Sequence, residues 1–450
     1  MVNDWQQIKL GQLAKITMGQ SPKGELCNSI GDGVPLLNGP TEFGSSYPTA
    51  TQFTTDPKRF SEKGDLLFCV RGSTTGRMNW SNQEYAIGRG LAAFQHYEGE
   101  DYKHFLRAII EFKLPELLAS ATGSTFPNVS KNQLNNLKVL VPLLPEQKAI
   151  AHILGTLDEK MELNRQMNET LEAMAQVMFK SWFVDFDPVI DNALLTGKAI
   201  PEPLKERAEL RQAQLDGDKA KINSEINNLF PSEFEFTDEF GWIPKGWEVK
   251  NLSEIAENIF SGGTPNTKKA EYWNGDLNWF SSGETRENIV VETEKTITEI
   301  GVSESSTKLA RYGDVLIASA GQGHTRGQTS FCSIDTYFNQ SVVCVRPQEP
   351  THYSWLFFNL YGRYEEMRAL SDSHSIRGSL TTKLLSSMSI IKPDENILAE
   401  YENIVGKHIL KIKENKLINN NLAKLRDTLL PKLMSGELRI PDAEKLVADI

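Results

Sequence analysis

Residues 64–72, Gly-Asp-Leu-Leu-Phe-Cys-Val-Arg-Gly, recur in the second half of the chain as residues 313–321, Gly-Asp-Val-Leu-Ile-Ala-Ser-Ala-Gly. In both stretches a Gly-Asp turn precedes a short run of aliphatic, β-branched or aromatic side chains, which is typical of a strand. We therefore predict strands at Asp65–Val70 and Asp314–Ala318, which share one sequence pattern and are separated by 249 positions.

Two further matches extend the repetition outward from these strands. Trp5–Ala14 (WQQIKLGQLA) resembles Trp247–Ala256 (WEVKNLSEIA), and Leu134–Pro142 (LNNLKVLVP) resembles Leu385–Pro393 (LSSMSIIKP). The separations of 242, 249 and 251 residues increase along the chain, as loop insertions in a duplicated domain would produce. Matches that keep one order predict a domain of about 150 residues that is present twice.

Each copy combines strand and helix patterns. The apolar residues of Tyr102–Ser120 and Tyr353–Leu370 follow helical spacing. Clusters of Gly, Ser, Thr, Asn and Pro separate these helices from the strands and are typical of loops. The predicted fold class is therefore mixed α/β.

A long helix is predicted after each copy, because the apolar positions alternate steps of four and three, the spacing of a coiled coil. The first seam runs through Ile150, Leu154, Leu157, Met161, Asn164, Asn168, Leu171, Ala175, Met178 and Trp182. The second seam runs through Tyr401, Val405, His408, Ile412, Asn415, Asn419, Leu422, Arg426, Leu429 and Leu433. One helix per copy favours an antiparallel coiled coil formed within the chain.

Two asparagines interrupt each seam at equivalent positions: Asn164 and Asn168 in the first, Asn415 and Asn419 in the second. In one interpretation the apolar seam drifts around the helix at these positions, and the asparagine side chains are exposed. In the other, which we favour, they are buried and fix the register of the two helices.

These patterns give the expected domain boundaries. The segments are 1–146 (first domain), 147–186 (first helix), 187–245 (linker), 246–398 (second domain), 399–436 (second helix) and 437–450 (tail). The linker has 7 basic and 12 acidic side chains, whereas residues 1–145 have 14 basic and 13 acidic ones. The net charge of −11 over 450 residues therefore hides a nearly neutral first domain.

The composition favours a cytoplasmic protein. The start of the chain shows neither a basic segment nor an apolar core, so no signal peptide is expected, and no apolar stretch approaches the length of a membrane span. The four cysteines form no CxxC pair, which argues against a zinc site or a disulfide framework.

Acid-free windows occur at matching places in both copies. They are Leu66–Gln83 and Leu117–Pro145 in the first copy, and Val315–Ile334 and Ser373–Pro393 in the second. Acidic side chains repel phosphate, so windows that lack them and are rich in Ser, Thr, Asn, Gln and Gly are candidates for DNA contact. Any one of these loops could equally be a turn, and it is the coincidence of four windows that favours DNA.

The candidate DNA-binding residues are the polar and basic side chains of these windows. They are Arg71, Ser73, Thr74, Arg77, Ser124, Asn128, Lys131, Gln322, His324, Arg326, Ser375 and Arg377. No catalytic residues are predicted, because the sequence has no Walker A loop, no HExxH and no Asn/Asp-Pro-Pro-aromatic motif. No metal site is expected either.

Several stretches resemble one family closely. They are Ser181–Pro188 (SWFVDFDP), Phe240–Val249 (FGWIPKGWEV), Ser261–Pro265 (SGGTP), Glu271–Gly275 (EYWNG) and Leu430–Ile440 (LPKLMSGELRI). Together they resemble the specificity subunits of type I restriction–modification enzymes, and the likeness covers essentially the whole chain.

The resemblance implies two target-recognition domains, each reading one half of a bipartite DNA site, separated by the two helices. It also implies a non-catalytic chain without a cofactor of its own. Two modification subunits with S-adenosylmethionine would methylate adenine at N6, and two restriction subunits with ATP and Mg could join them. The alternatives are a methyltransferase or nuclease with an unrecognised site, and a coiled-coil adaptor that binds only protein.

Overall fold

The computed structural model describes residues 5–121, 127–217, 224–321, 324–374 and 378–447. The chain forms two compact units: unit 1 comprises Met1–Asn164 and Ile418–Ile450, and unit 2 comprises Arg165–Leu417. In the described residues no helix is both long enough and apolar enough to cross a membrane.

Strands dominate the first copy. They are β1 (Gln6–Lys9), β2 (Ala14–Met18), β3 (Cys27–Asn28), β4 (Val34–Leu37), β5 (Gln52–Thr54), β6 (Phe60–Ser61), β7 (Leu66–Cys69), β8 (Met78–Trp80), β9 (Tyr85–Ile87), β10 (Leu91–His96) and β11 (Lys138–Val141). A four-stranded sheet has the order β2-β10-β7-β8, and a five-stranded sheet has the order β3-β5-β4-β9-β6. All pairs in the four-stranded sheet are antiparallel.

The second copy repeats this arrangement. Its strands are β14 (Glu248–Asn251), β15 (Ala256–Ser261), β16 (Trp273–Phe280), β17 (Ile289–Val290), β18 (Lys295–Ile297), β19 (Lys308–Ala310), β20 (Val315–Ala318), β21 (Thr329–Cys332), β22 (Thr336–Phe338), β23 (Val342–Pro347) and β24 (Ser389–Lys392). Here the sheets have the orders β15-β23-β20-β21-β17 and β18-β16-β22-β19.

Strand pairing confirms the duplication. In the first copy Gln6 of β1 pairs with Val141 of β11, and in the second Glu248 of β14 pairs with Lys392 of β24. The two pairs are separated by the same 242 and 251 residues that the sequence matches give. Loop insertions inside each copy therefore do not disturb the strand pair that joins the beginning of the copy to its end.

The helices are α1 (Leu10–Leu13), α2 (Lys103–Ala119), α3 (Lys131–Asn136), α4 (Leu144–Phe183), α5 (Asp187–Thr196), α6 (Lys205–Gly217), α7 (Ser224–Asn227), α8 (Leu252–Ile255), α9 (Glu299–Ser303), α10 (Tyr353–Tyr361), α11 (Tyr364–His374), α12 (Thr382–Ser386), α13 (Glu395–Met434) and α14 (Ile440–Val447). The long helices α4 and α13 have 40 residues each and begin three to four residues earlier than expected. Each is divided between the two units, α4 after Asn164 and α13 after Leu417.

The seam residues of α4 and α13 are mostly buried, as a coiled coil requires. In unit 1 Leu157 is buried in one cluster with Leu422 and Leu429, and in unit 2 Ala175 is buried in one cluster with Tyr401. Within each unit, residues that come later in α4 pair with residues that come earlier in α13, so the two helices are antiparallel.

The segment expected to be a linker is folded. Helix α5 packs on α6, and Arg207 and Arg211 of α6 form ion pairs with Asp187 and Asp191 of α5. A hairpin of β12 (Phe234–Thr237) and β13 (Gly241–Pro244) follows. Four of the segment's acidic and basic side chains are therefore used to hold two helices together.

An ionic cluster joins the first copy to the long helices within unit 1. The Asp158 carboxylate on α4 lies 3.4 Å from Arg107 Nη1 on α2 and 3.1 Å from Arg426 Nη1 on α13, with His104 Nδ1 at 3.7 Å. The Asp158 side chain is only 15% exposed. Burial alone would raise the pKa of Asp158, but the contact with His104 and the charges of Arg107 and Arg426 outweigh it and lower that pKa.

An apolar cluster takes the place of these charges in unit 2. Trp355 and Phe358 of α10 and Ile409 of α13 are buried, and they occupy the positions equivalent to His104, Arg107 and Asp158. Ala175 of α4 corresponds to Arg426, and its carbonyl accepts a 3.2 Å hydrogen bond from Tyr401 Oη.

Glu402 of α13 is a buried carboxyl at this same interface. It accepts a 2.8 Å hydrogen bond from the backbone N–H of Ser354 at the start of α10. Burial raises the pKa of Glu402, and the hydrogen bonds from Ser354 only partly oppose that rise.

Candidate nucleic-acid interface

The turns at one end of the sheet β2-β10-β7-β8 come together as a single surface, because neighbouring antiparallel strands end and begin there. We call it the first edge and define it as residues 19–21, 70–77, 88–90 and 127–131. Backbone hydrogen bonds connect its parts: Val70 N donates to Gly90 O at 2.9 Å, and Gly19 N donates to Leu91 O at 2.9 Å.

The two acid-free windows of the first copy meet at this edge. Val129 N donates to Val70 O at 2.9 Å, and Gly72 N donates to Pro127 O at 3.3 Å. The Thr75 hydroxyl donates to the same Pro127 carbonyl at 2.9 Å. Two windows that are about 50 positions apart in sequence are thereby joined into one surface.

Most candidate residues of the first copy lie exposed on the first edge. Arg71, Ser73 and Thr74 are exposed, and Arg71 forms an isolated β-bridge with Asn128. Lys131 is exposed at the start of α3, whose N-cap Ser130 accepts a hydrogen bond from Gln133 N. Ser124 lies outside the described residues.

Arg77 is exposed but held by the protein. Its Nη1 donates to Pro40 O at 3.3 Å and its Nη2 donates to Phe43 O at 3.2 Å. These carbonyls fix the orientation of the guanidinium without neutralising its charge, so it remains available to an anion.

The second copy has an equivalent surface, the second edge, defined as residues 262–264, 319–321, 324–328, 339–341 and 378–382. Ser319 N donates to Ser341 O at 2.8 Å, and Leu380 N donates to Ser319 O at 2.8 Å. These two bonds repeat those of Val70 with Gly90 and Val129 one copy later. The acid-free windows of the second copy are thus joined in the same way.

The glycine-rich loop of the second edge is two residues longer than that of the first. Gly76 N donates to Cys69 O in the first copy, and Gly327 N donates to Ala318 O in the second, both at 2.9 Å. The register after the loop places Trp80 and Phe331 at equivalent positions. Arg77 therefore corresponds to Gln328, and Arg326 corresponds to Thr75, whose hydroxyl donates to Pro127 O as Arg326 donates to Gly378 O.

Arg326 differs from the other arginines because it is nine-tenths buried. Its Nη1 donates to Gly378 O and its Nη2 pairs with the Asp372 carboxylate. Gly378 has φ +52°, and a Cβ there would lie 1.8 Å from Nη1. This guanidinium fastens one part of the second edge to another and has little exposed surface for the DNA contact that we predict for it from the sequence.

Of the remaining candidates of the second copy, His324 lies within the described residues. His324 is exposed, and its carbonyl accepts a 2.8 Å hydrogen bond from Tyr364 Oη. Gln322, Ser375 and Arg377 lie outside the described residues.

The seam asparagines form two pairs across the helices. In unit 1 Asn164 Nδ2 donates to Asn419 Oδ1 at 2.8 Å, and Asn419 Nδ2 donates to Met161 O at 3.0 Å. In unit 2 Asn415 Nδ2 donates to Asn168 Oδ1 at 2.8 Å. A buried amide that pairs with an amide penalises any shift of one helix along the other, because the shift would leave both unpaired.

Sequence reasoning missed the turns 19–21 and 88–90 of the first edge and their counterparts in the second. The acid-free window ends at Gln83, before Glu84, so it excluded Arg89. An available signal was Gly88-Arg89-Gly90 between two strands, since glycines on both sides of one long side chain indicate close backbone approach.

Neither edge has the residues of a metal centre. In the described ranges no group of three or more His, Cys, Asp or Glu side chains is placed to hold a metal ion.

Burial raises the pKa of the Cys332 and Cys344 thiols, with the nearby Asp314 charge adding to the rise, which makes them poor nucleophiles.

Comparison with known proteins agrees with this architecture. The model of the type I restriction modification DNA specificity domain matches twice, over residues 2–173 and 244–425. The HindI specificity subunit of Haemophilus influenzae is 26% identical over 407 residues, which cover 85% of this chain and 88% of that protein. The MjaIX specificity subunit of Methanocaldococcus jannaschii is 25% identical over 461 residues, covering 98% and 94%.

A solved structure shares the fold. The S subunit of a type I restriction–modification system from M. genitalium superposes with a TM-score of 0.59 over 96% of both chains, at 17% sequence identity. Because the family model matches most of the chain in two copies, this protein belongs to the type I restriction–modification DNA specificity family.

Proposed function

We propose that the two edges each read one half of a bipartite DNA target, and that modification subunits bound to the same chain methylate adenine at N6 within it. The observation that carries the proposal is the repeated edge: in both copies two acid-free windows, distant in sequence, are joined by the same backbone hydrogen bonds. A surface that is built twice fits a target with two parts.

The chemistry of the first edge suits DNA. Exposed Arg71, Arg77 and Lys131 can neutralise phosphates, which supplies most of the sequence-independent affinity. Ser73, Thr74 and Asn128 offer the hydroxyl and amide groups that contact base edges. The anchored loops present these groups in a fixed arrangement, as discrimination between bases requires.

An apolar stripe on α4 supports the binding of modification subunits. Met167, Met174 and Val177 are between 39% and 68% exposed, and with Thr170 they repeat the four-three spacing on a face other than the buried seam. Met174, Val177 and Thr170 also line a groove of about 800 Å³ within unit 2. A second stripe at coiled-coil spacing suits a helix from another protein.

The cofactors belong to those partners in this proposal. S-adenosylmethionine would be held by two modification subunits, and ATP with Mg by up to two restriction subunits. This chain would hold no cofactor and contribute only the choice of sequence.

Methylome sequencing tests the proposal directly. The chain and its modification subunit are expressed in a host without other adenine methylation, and we expect N6-methyladenine at one bipartite motif. Exchanging residues 1–146 for those of a relative should change one half of the motif only. Methylation without sequence preference, or a change in both halves, would contradict the proposal.

A further inference from the structure

Arg89 and Gln340 occupy one equivalent position, at the turn that leads into β10 and β23 respectively. Leu91 N donates to Gly88 O at 3.0 Å in the first copy, and Val342 N donates to Asn339 O at 3.2 Å in the second. The bonds to Gly90 O and Ser341 O described above follow immediately after each residue. The same backbone turn therefore presents arginine in one copy and glutamine in the other.

Both side chains are exposed at their edges. A hydroxyl from the neighbouring turn contacts each position: Ser21 Oγ accepts a 3.1 Å hydrogen bond from Arg89 N, and Thr264 Oγ1 donates to Gln340 Oε1. The described hydrogen bond of Arg89 uses its backbone N–H, and its side chain is exposed.

Crowding around the turn of the first copy leaves Arg89 as its projecting side chain. A Cβ at Gly88 would lie 2.5 Å from Asn38 Oδ1, and a Cβ at Gly90 would lie 2.5 Å from Asn38 O. The turn must therefore pack closely on Asn38, and it presents one long side chain between two glycines.

We propose that this position is a base-reading position in both copies, with Arg89 selecting guanine and Gln340 selecting adenine. Arginine donates two hydrogen bonds to guanine O6 and N7, and glutamine pairs with adenine N6 and N7. The Thr264 hydroxyl occupies one lone pair of Gln340 Oε1 and leaves the other for adenine N6. This assignment rests on the proposed function, and it identifies one base pair in each half-site.

The test uses the whole complex and two substitutions, Arg89→Gln and Gln340→Arg, read by methylome sequencing. For Arg89→Gln we expect the preference for guanine at one base pair of the first half-site to fall roughly tenfold to a hundredfold. For Gln340→Arg we expect a similar loss of adenine preference at one base pair of the second half-site. Each variant should leave the other half-site unchanged.

Matched controls place the same chemistry at the opposite ends of the strands. Lys63→Gln removes a positive charge just before β7, and Gln348→Arg adds one just after β23. Both should leave the motif unaltered. A third variant, Arg89→Met, keeps an unbranched side chain but has no hydrogen-bond donor, so it reports on base reading even if Arg89→Gln folds poorly.

Three outcomes overturn the assignment. They are an unaltered motif in both edge variants, full retention of specificity by Arg89→Met, and a loss of affinity that is equal for all sequences with a smaller salt dependence, which would indicate a phosphate contact. A wild-type complex without any bipartite motif would instead contradict the proposed function itself, so the two failures are distinguishable.

Discussion

The junction between each copy and the long helices is ionic in unit 1 and apolar in unit 2. Asp158 with its arginine partners and Ile409 with its aromatic neighbours occupy the same place in the repeat. Two chemistries therefore satisfy one backbone arrangement, because the fold requires a filled interface, and either set of side chains provides one. The two versions also depend differently on charge: the ionic cluster is stabilised by an ionised Asp158, whereas the apolar cluster adjoins one carboxyl, Glu402, whose ionisation is disfavoured by burial.

The largest effect should follow from Asp158→Ala. The substitution removes the carboxylate shared by the largely buried guanidinium groups of Arg107 and Arg426 and leaves them only the partners Glu111 and Asp427, so the free energy of unfolding of unit 1 should fall by about 3 kcal/mol. Peptide-resolved hydrogen exchange over residues 144–164 measures it. Ile409→Val, the matched change in unit 2, should cost only about 0.5–1.5 kcal/mol. Equal losses would show that the charges of unit 1 contribute nothing specific.

Converting the first junction into the second gives a smaller and opposite effect. The combination His104→Trp, Arg107→Phe, Asp158→Ile and Arg426→Ala should leave unit 1 as stable as the wild type, or more stable by about 1–4 kcal/mol, since well-packed apolar side chains can replace a buried ion pair. Urea denaturation followed by the same exchange measurement checks this. Destabilisation comparable to that of Asp158→Ala would show that the surrounding packing of unit 1 is specific for the ionic cluster.

The smallest effect is on the pH dependence, and it has opposite signs for Asp158 and Glu402. The lowered pKa of Asp158 contributes stability that is present above its unfolded value of about 3.9 and is lost as pH falls through the folded value. The raised pKa of Glu402 makes unit 2 less stable as pH rises from about 4.3 through the folded value.

The contributions of Asp158 and Glu402 are measured as differences between variant and wild type, because other carboxyls with shifted pKa values, such as Asp65 in unit 1 and Asp187 in unit 2, titrate as well. In exchange rates corrected for intrinsic pH effects, Asp158→Asn should lose less stability than the wild type below about pH 4, and Glu402→Gln should lack the stabilisation of unit 2 that protonation of Glu402 provides. Variants whose pH response equals that of the wild type would contradict these assignments.

The sequence predicts the duplication and the seam because both depend on spacing along one chain. The 4–3 pattern correctly indicates Leu157, Ala175 and Tyr401 as buried, and it reveals Arg426 as a charged residue on an apolar seam. What it does not reveal is the partner, since Asp158 is 268 positions away. That Asp158 neutralises Arg426 becomes evident only when the two helices are paired.

Only part of each edge could be predicted from the sequence, for a similar reason. A scan for acid-free windows finds Arg71 and Lys131, which are exposed, and it also finds Arg326, which is buried against Asp372. It misses Arg89, because the scan stops at Glu84 although the strands bring both segments to one end of the sheet. Strand direction, which single windows do not contain, decides which turns share a surface.

The difference of two residues between the glycine-rich loops has a consequence for how such proteins diversify. The same backbone hydrogen bonds close the loop at both ends in each copy. The extra residues therefore change neither the strand register nor the buried core. Lengthening a loop changes its closure entropy only slightly, by about 0.6 kcal/mol for each doubling. Small insertions and deletions, and not only point substitutions, are therefore heritable variation from which a new target sequence can arise without a loss of folding.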